Sequence, residues 1–193
     1  MQLGGLASGR HLRKNGGRGT TKEAKTMTDT GPNPPSRLPR PKMSEREAFA
    51  AFVGGWQLEL WTTFHKDGTE DYPFGRDALG QIMYSADGHM SCHLMRANRP
   101  PLDAPSVYKV TDEELGRAMR AYTGYFGAFT IDAAQGVITH HVTGAWYPNW
   151  AGTDQPRRYA FIGDRLFLEA EVGDDLVRIE WRRVVTEPAQ RLA

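Results

Sequence analysis

The chain has 193 residues, of which 39% are hydrophobic, and a formal net charge of +1; this is enough apolar material for one domain with one core. The charge is uneven, because residues 1–42 carry nine basic and two acidic side chains while the rest carries 15 basic and 21 acidic ones. The acidic body argues against a nucleic-acid groove, which needs a basic face on the folded part.

The single cysteine and the N-terminal composition bear on the compartment. Cys92 has no partner for an intramolecular disulfide, and no apolar run near the N-terminus is long enough for a secretion signal or a membrane span. Both features predict a cytoplasmic protein.

Composition divides the chain into three parts. Residues 1–42 are rich in glycine, proline and arginine and bury too little apolar surface to offset the entropy of ordering, so they are predicted to be a disordered basic tail. Residues 43–186 form the predicted domain, and residues 187–193 a C-terminal tail.

The predicted domain begins with a short helix and continues as strands. Ser44 and Glu47 have the spacing of a capping box, which predicts a helix that closes one end of a barrel. From Trp56 the hydrophobic period changes to two, which predicts a strand with Leu58 on its buried face and Trp61 on its outer face.

Further strands follow at short intervals. A second capping box at Thr111 and Glu114 predicts an amphipathic helix over about 112–123, and residues 97–110 are predicted to be a loop over one mouth. The predicted strands after the first are 80–85, 89–96, 126–131, 137–145, 157–162, 165–171 and 176–184. Short connections without a βαβ rhythm favour an all-β fold, an antiparallel up-and-down barrel of about eight to ten strands with a short N-terminal helix and one inserted helix. An open sandwich is the alternative.

The histidines predict no metal site. His140 and His141 are neighbours on a predicted strand, so only one of them can face inward, and the parity of His140 with Ile138 favours His140 over His141. His89 and His93 also lie on a strand, where four residues span about 13 Å, too far for two ligands of one zinc. We expect neither a metal nor another cofactor.

The segment from Trp146 to Trp150 is the strongest functional pointer. Its aromatic side chains either cap the core or line a ligand mouth. Arg157 shares its parity with Tyr159 and is expected inside the barrel, where a buried charge needs an anion or hydrogen bonds. The predicted ligand-binding side chains are Tyr84, Tyr122, His140, Trp146, Asn149, Trp150, Arg157 and Tyr159, with the tyrosines expected in the core with a polar tip.

Several motifs resemble a known family. Gly54-Gly55-Trp56 is similar to the lipocalin G-x-W signature, in which an arginine of the last strand stacks on the tryptophan; Arg182 or Arg183 could supply it. The stretches LGQIMYSADGHMSCHLMRANRP, AYTGYFGAFTID, VITHHV and YPNWAGTDQPRRY occur in the order of the lipocalin-like domain family of small cytoplasmic bacterial and fungal proteins. The resemblance covers about residues 50–185. It implies a barrel with a small-molecule cavity, in a family with some members in natural-product (secondary) metabolism.

Three hypotheses about function follow. The first is binding of a small, largely apolar or amphipathic molecule, such as a carboxylate or a natural-product intermediate, in the barrel. The second is a cofactor-independent isomerase, cyclase or dehydratase with His140 as general acid/base and Arg157 or a tyrosine stabilising an oxyanion. The third is a filled barrel that binds a protein, for example as a homodimer through Trp61 and Phe167. Fold alone does not decide between them.

Overall fold

The computed structural model describes residues 37–185, so residues 1–36 and the predicted C-terminal tail at 187–193 lie outside the described part. The described helices and strands are α1 (Glu45–Phe52), β1 (Gly54–Phe64), β2 (Glu70–Asp71), β3 (Leu79–Tyr84), β4 (His89–Met95), α2 (Asp112–Arg120), β5 (Tyr122–Asp132), β6 (Val137–Ala145), β7 (Asp154–Ile162), β8 (Arg165–Val172) and β9 (Asp175–Arg183). Short 3-10 helices lie at Val107–Lys109 and Pro148–Trp150.

The strands form one antiparallel sheet that closes on itself. Their order is β2, β1, β3, β4, β5, β6, β7, β8, β9, and β1 also pairs with β9. The two-residue β2 only extends the hairpin at the end of β1. The predicted up-and-down barrel is confirmed and the open sandwich is wrong, because the first and last long strands pair with each other. Within residues 37–185 there is no helix with the length and apolar character needed to cross a membrane.

Helix α1 closes one end of the barrel. The Ser44 side chain accepts a hydrogen bond from the Glu47 amide at 3.3 Å, and the Glu47 carboxylate accepts one from the Ser44 amide at 2.8 Å, so the predicted capping box is confirmed. Phe52 is fully buried, and its ring meets the rings of Tyr84 and Tyr159 edge-on at 5.1 and 4.9 Å between centroids. Aromatic side chains therefore fill this closed end, and the open end lies where β5 begins and β6 finishes.

Arg183 ties α1 to the barrel. Its guanidinium lies 4.0 Å from the centroid of the Trp56 ring and donates hydrogen bonds to the carbonyls of Val53, at 3.1 Å, and Ala51. The last carbonyls of a helix have no partner inside the helix, so these bonds satisfy groups that would otherwise be orphaned. Of the two arginines that the signature allowed, Arg183 is the one that stacks on Trp56.

A bulge in β1 reverses the alternation that the sequence suggests. The register of β1 against β9 shifts between Leu58 and Leu60, so the residues after the bulge change faces. Trp61 consequently packs against the core, with its ring 5.0 Å from that of Phe74. The prediction of an outward Trp61 is wrong, and the dimer surface suggested for it loses its main side chain.

The start of β5 changes the outcome for Tyr122. Helix α2 ends at Arg120 rather than near residue 123, and β5 already begins at Tyr122. Strand alternation then turns Tyr122 to the outer face, where its hydroxyl bonds to Nδ1 of His93 at 2.6 Å. The prediction of Tyr122 in the core is therefore wrong.

Replacing Arg183 by methionine should lower the free energy of unfolding by about 1–3 kcal/mol, because two helix carbonyls lose their donors. Arg182→Met is the matched control. Arg182 is about half exposed and pairs with Glu59 and Asp164 on the surface, so its loss should cost less than about 1 kcal/mol. Urea unfolding of both variants measures the difference, and equal losses would contradict the role assigned to Arg183.

Candidate ligand site

The barrel interior holds a chain of three hydrogen-bonded side chains. His140 on β6 is fully buried, and its Nε2 and Nδ1 atoms each lie 2.9 Å from a tyrosine hydroxyl, that of Tyr84 on β3 and that of Tyr125 on β5. His141 lies on the outer face, where its Nδ1 is 2.7 Å from Asp154. The prediction that His140 faces inward is confirmed.

The hydrogen-bonded cluster of Tyr84, His140 and Tyr125 is uncharged. Burial, and then the positive charge of Arg157, hold the pKa of His140 well below its usual value. Burial likewise raises the pKa of Tyr84 and of Tyr125. A neutral imidazole has one donor and one acceptor nitrogen, so one tyrosine hydroxyl donates to the ring and the other accepts from it.

Cys92 on β4 lies beside the chain as a thiol. It is buried, and burial raises its pKa to about 12, so it carries no nucleophilic thiolate near neutral pH. This agrees with its predicted role as a small buried side chain.

Arg157 brings a positive charge to the interior. It lies on β7 with the parity of the buried Tyr159 and is half-buried, as the sequence predicted. Its guanidinium donates a hydrogen bond to the side-chain oxygen of Gln155 at 2.9 Å. Among residues 37–185, no carboxylate forms a salt bridge with Arg157. In this part of the chain its positive charge is therefore not neutralised by an ion pair.

Strands β7 and β8 separate toward the open end. Their register pairs begin at Arg158 and Glu169 and continue toward the closed end, whereas within the described chain residues 154–157 of β7 pair with β6 alone. β8 remains paired with β9 as far as Val172. Pro156 lies in the unpaired stretch, in keeping with its lack of an N–H group for a second ladder.

A cavity of about 560 Å³ lies at this gap, within the usual range for small-molecule sites. Trp150, Gln155 and Arg157 line it on the interior side, and Arg158 on the outer side. Arg40, from the segment that the sequence assigned to the tail, also lines it. Glu169 and Glu171 of β8 line it as well, and Trp150 is the lining residue whose ring packs against Tyr125 of the buried cluster.

The segment from Trp146 to Trp150, the aromatic loop, covers the open end next to this cavity. Trp150 packs edge-on against Tyr125, with 5.9 Å between ring centroids, and Trp146 packs against Trp150 at 6.3 Å. The side chain of Asn149 donates to the Tyr147 hydroxyl at 3.0 Å and is exposed. The loop thus caps the core and borders the cavity at once, and Asn149 faces away from the interior.

The predicted site residues fall into separate regions. The interior holds His140 and Arg157, with Trp146 and Trp150 next to it at the open end. The rings of Tyr84 and Tyr159 lie in the aromatic floor, with the Tyr84 hydroxyl reaching His140, and Tyr122 and Asn149 lie outside. Sequence reasoning missed Tyr125 and Gln155. Gln155 could have been predicted, because it has the same strand parity as Arg157. Tyr125 could not, because its strand was predicted to begin at Phe126.

The potential metal ligands among residues 37–185 lie apart from one another. No three histidine, cysteine, aspartate or glutamate side chains in residues 37–185 are grouped so that they could hold an ion. His89 lies near Asp87, whereas His93 bonds to Ser91 and Tyr122. The two histidines therefore do not converge.

The buried neutral histidine should make stability depend on pH. An unfolded histidine takes up a proton below pH about 6.5, but His140 resists protonation in the fold, so acid favours unfolding. Relative to His140→Gln, the wild type should lose up to about 1.4 kcal/mol of unfolding free energy per pH unit below that value, until the folded pKa is reached. Urea unfolding at several pH values measures this, and parallel profiles would show that His140 does not carry the effect.

Comparisons with known proteins agree with the barrel. Residues 53–186 match the lipocalin-like domain family. A 4'-hydroxy-3'-methoxypropiophenone carrier protein, ppsC of Aspergillus oryzae (strain ATCC 42149 / RIB 40), is 38% identical over 85 residues, which are 41% of this chain and 77% of that protein.

Two solved structures are distant neighbours. A redesigned β-barrel has a TM-score of 0.39 and 12% identity over 75% of this chain and all of its own. The fatty-acid-binding protein 1 of Echinococcus granulosus has a TM-score of 0.36 and 14% identity over 70% of this chain and 99% of its own. Scores this low add nothing to the strand pairing described above. The family match spans most of the chain, and the protein therefore belongs to the lipocalin-like domain family.

Proposed function

We propose that this protein is a carrier that holds a small, largely apolar aromatic molecule in the open half of its barrel. The observation that carries the proposal is the cavity at the β7–β8 gap, where Trp150, Gln155 and Arg157 meet. A flat aromatic surface beside a few convergent polar groups is the usual composition of a small-molecule site. The relative ppsC, named as a carrier protein, supports this class of function.

The polar groups suggest the ligand's chemistry. Arg157 donates hydrogen bonds and carries an unpaired charge toward the cavity, which suits a carboxylate, a phenolate or a carbonyl oxygen. Gln155, which also lines the cavity, has an amide N–H₂ group that can donate to a ketone or methoxy oxygen. The compound in the relative's name, 4'-hydroxy-3'-methoxypropiophenone, has a phenol, a methoxy group and a ketone on a small aromatic frame, and is the probe of choice.

The geometry favours carriage over catalysis by His140. A general base must reach the proton that it abstracts, yet both ring nitrogens of His140 bond to tyrosines and its side chain is fully buried. Proton transfer to a ligand would have to pass through Tyr125, the tyrosine that touches Trp150. An isomerase or dehydratase therefore needs a relay, whereas a carrier needs only the cavity.

The carrier proposal predicts a ligand-dependent role for Arg157. Titration with 4'-hydroxy-3'-methoxypropiophenone, followed by tryptophan fluorescence, should give saturable quenching because Trp150 borders the cavity. Arg157→Gln should weaken binding about tenfold through loss of a charged donor. Arg46→Gln, which removes an exposed charge on α1 at the closed end, should bind as the wild type does. No saturable quenching, or equal affinities for the two variants, would contradict the proposal.

A hydrogen-exchange assay separates carrier from enzyme. A ketone held next to an active base exchanges its α-hydrogens with D₂O, and mass spectrometry measures the exchange. A carrier should leave the exchange at the rate in buffer alone. Exchange faster than in buffer, with the increase lost in His140→Gln, would contradict the carrier proposal and support catalysis by His140.

A further inference from the structure

A second cavity lies at the open end, between the loop that follows β4 and helix α2. Its volume is about 540 Å³, and four of its lining residues are arginines: Arg96 and Arg99 from the loop, and Arg117 and Arg120 from the helix. We call it the arginine groove. Its lining differs from that of the β7–β8 gap, so it is a separate site.

The arginine groove concentrates charge in a body that is otherwise acidic. Beyond residue 42 the chain has 15 basic and 21 acidic side chains, and four of the basic ones line this groove while none of its lining residues is acidic. Within residues 37–185, none of the four forms a salt bridge with a carboxylate. Other arginines of the body do, namely Arg76, Arg165, Arg178 and Arg182.

Two of these arginines are held by neutral groups. Arg96 donates to the carbonyl of Pro73 at 2.7 Å, and its guanidinium lies 5.9 Å from the centroid of Phe74. Arg99 donates to the carbonyl of Ala118 and lies 6.0 Å from the centroid of Tyr122. Carbonyls and rings contact a guanidinium without neutralising its charge, so these two arginines keep their charge for an anion.

Arg117 and Arg120 have a simpler role as well. They lie in the last turn of α2, where positive side chains stabilise the helix dipole. The dipole explains their position along the helix, and both also line the cavity with two arginines from another segment. Four positive side chains along one groove suit an anion with more than one charge.

We propose that the arginine groove binds a multiply charged phosphate group. The planar donor fork of arginine matches phosphate oxygens, which accept paired hydrogen bonds, and a diphosphate brings several charges to four guanidinium groups where a carboxylate brings one. The phosphate can belong to a soluble metabolite or to a lipid headgroup. This site does not depend on the molecule bound in the barrel.

Calorimetric titration of the full chain with inorganic pyrophosphate tests the proposal. Arg117→Gln/Arg120→Gln should weaken binding about tenfold or more, because two charged donors are lost. Arg13→Gln/Arg18→Gln removes the same charge from the basic N-terminal segment and should leave the affinity close to that of the wild type. Both helix arginines are exposed, and thermal melting of each variant checks that the fold persists.

The outcomes are distinct. Binding that the groove variant loses and the control variant retains supports a phosphate site, whereas no pyrophosphate binding, or equal weakening in both variants, overturns it. Flotation with phosphatidate vesicles then identifies the source. Recruitment that pyrophosphate displaces assigns a lipid headgroup, and pyrophosphate binding without recruitment assigns a soluble phosphate.

Discussion

A fully buried histidine constrains where three strands of the barrel meet. His140 cannot remain uncharged and satisfied in an apolar interior unless each ring nitrogen finds a partner. Tyr84 and Tyr125 meet this demand from β3 and β5, so the strands must hold their register for both hydroxyls to reach the ring. A slip of one residue would turn each side chain to the opposite face. The three hydrogen-bonded side chains therefore favour one register of these strands.

The two ends of the barrel differ in how they are closed. At the closed end, aromatic rings fill the interior, and Arg183 fastens α1 by satisfying carbonyls that the helix cannot satisfy itself. At the open end, β7 leaves β8, and the aromatic loop only partly covers the resulting gap. The end closed by α1 is thus filled by side chains, and Arg157 lies on the part of β7 that pairs with β6 but not with β8.

Local signals in the sequence predicted the fold well. Both capping boxes, at Ser44 and Thr111, lie where expected, because such motifs depend on neighbours three residues apart. The inward direction of His140 followed from strand alternation. The prediction of an outward Trp61 was wrong because a bulge changes the alternation between Leu58 and Leu60. A bulge depends on the partner strand, which a single stretch of sequence does not reveal.

The candidate site was less predictable than the fold for the same reason. Parity predicted that Arg157 points inward, but the cavity that it lines exists because β7 and β8 part, a property of two strands together. The buried Tyr84–His140–Tyr125 cluster is neutral, and charging His140 would cost desolvation energy and add repulsion from Arg157. Under the proposed carrier function, an anionic end of a ligand would therefore lie near Arg157 at the gap and not against this cluster.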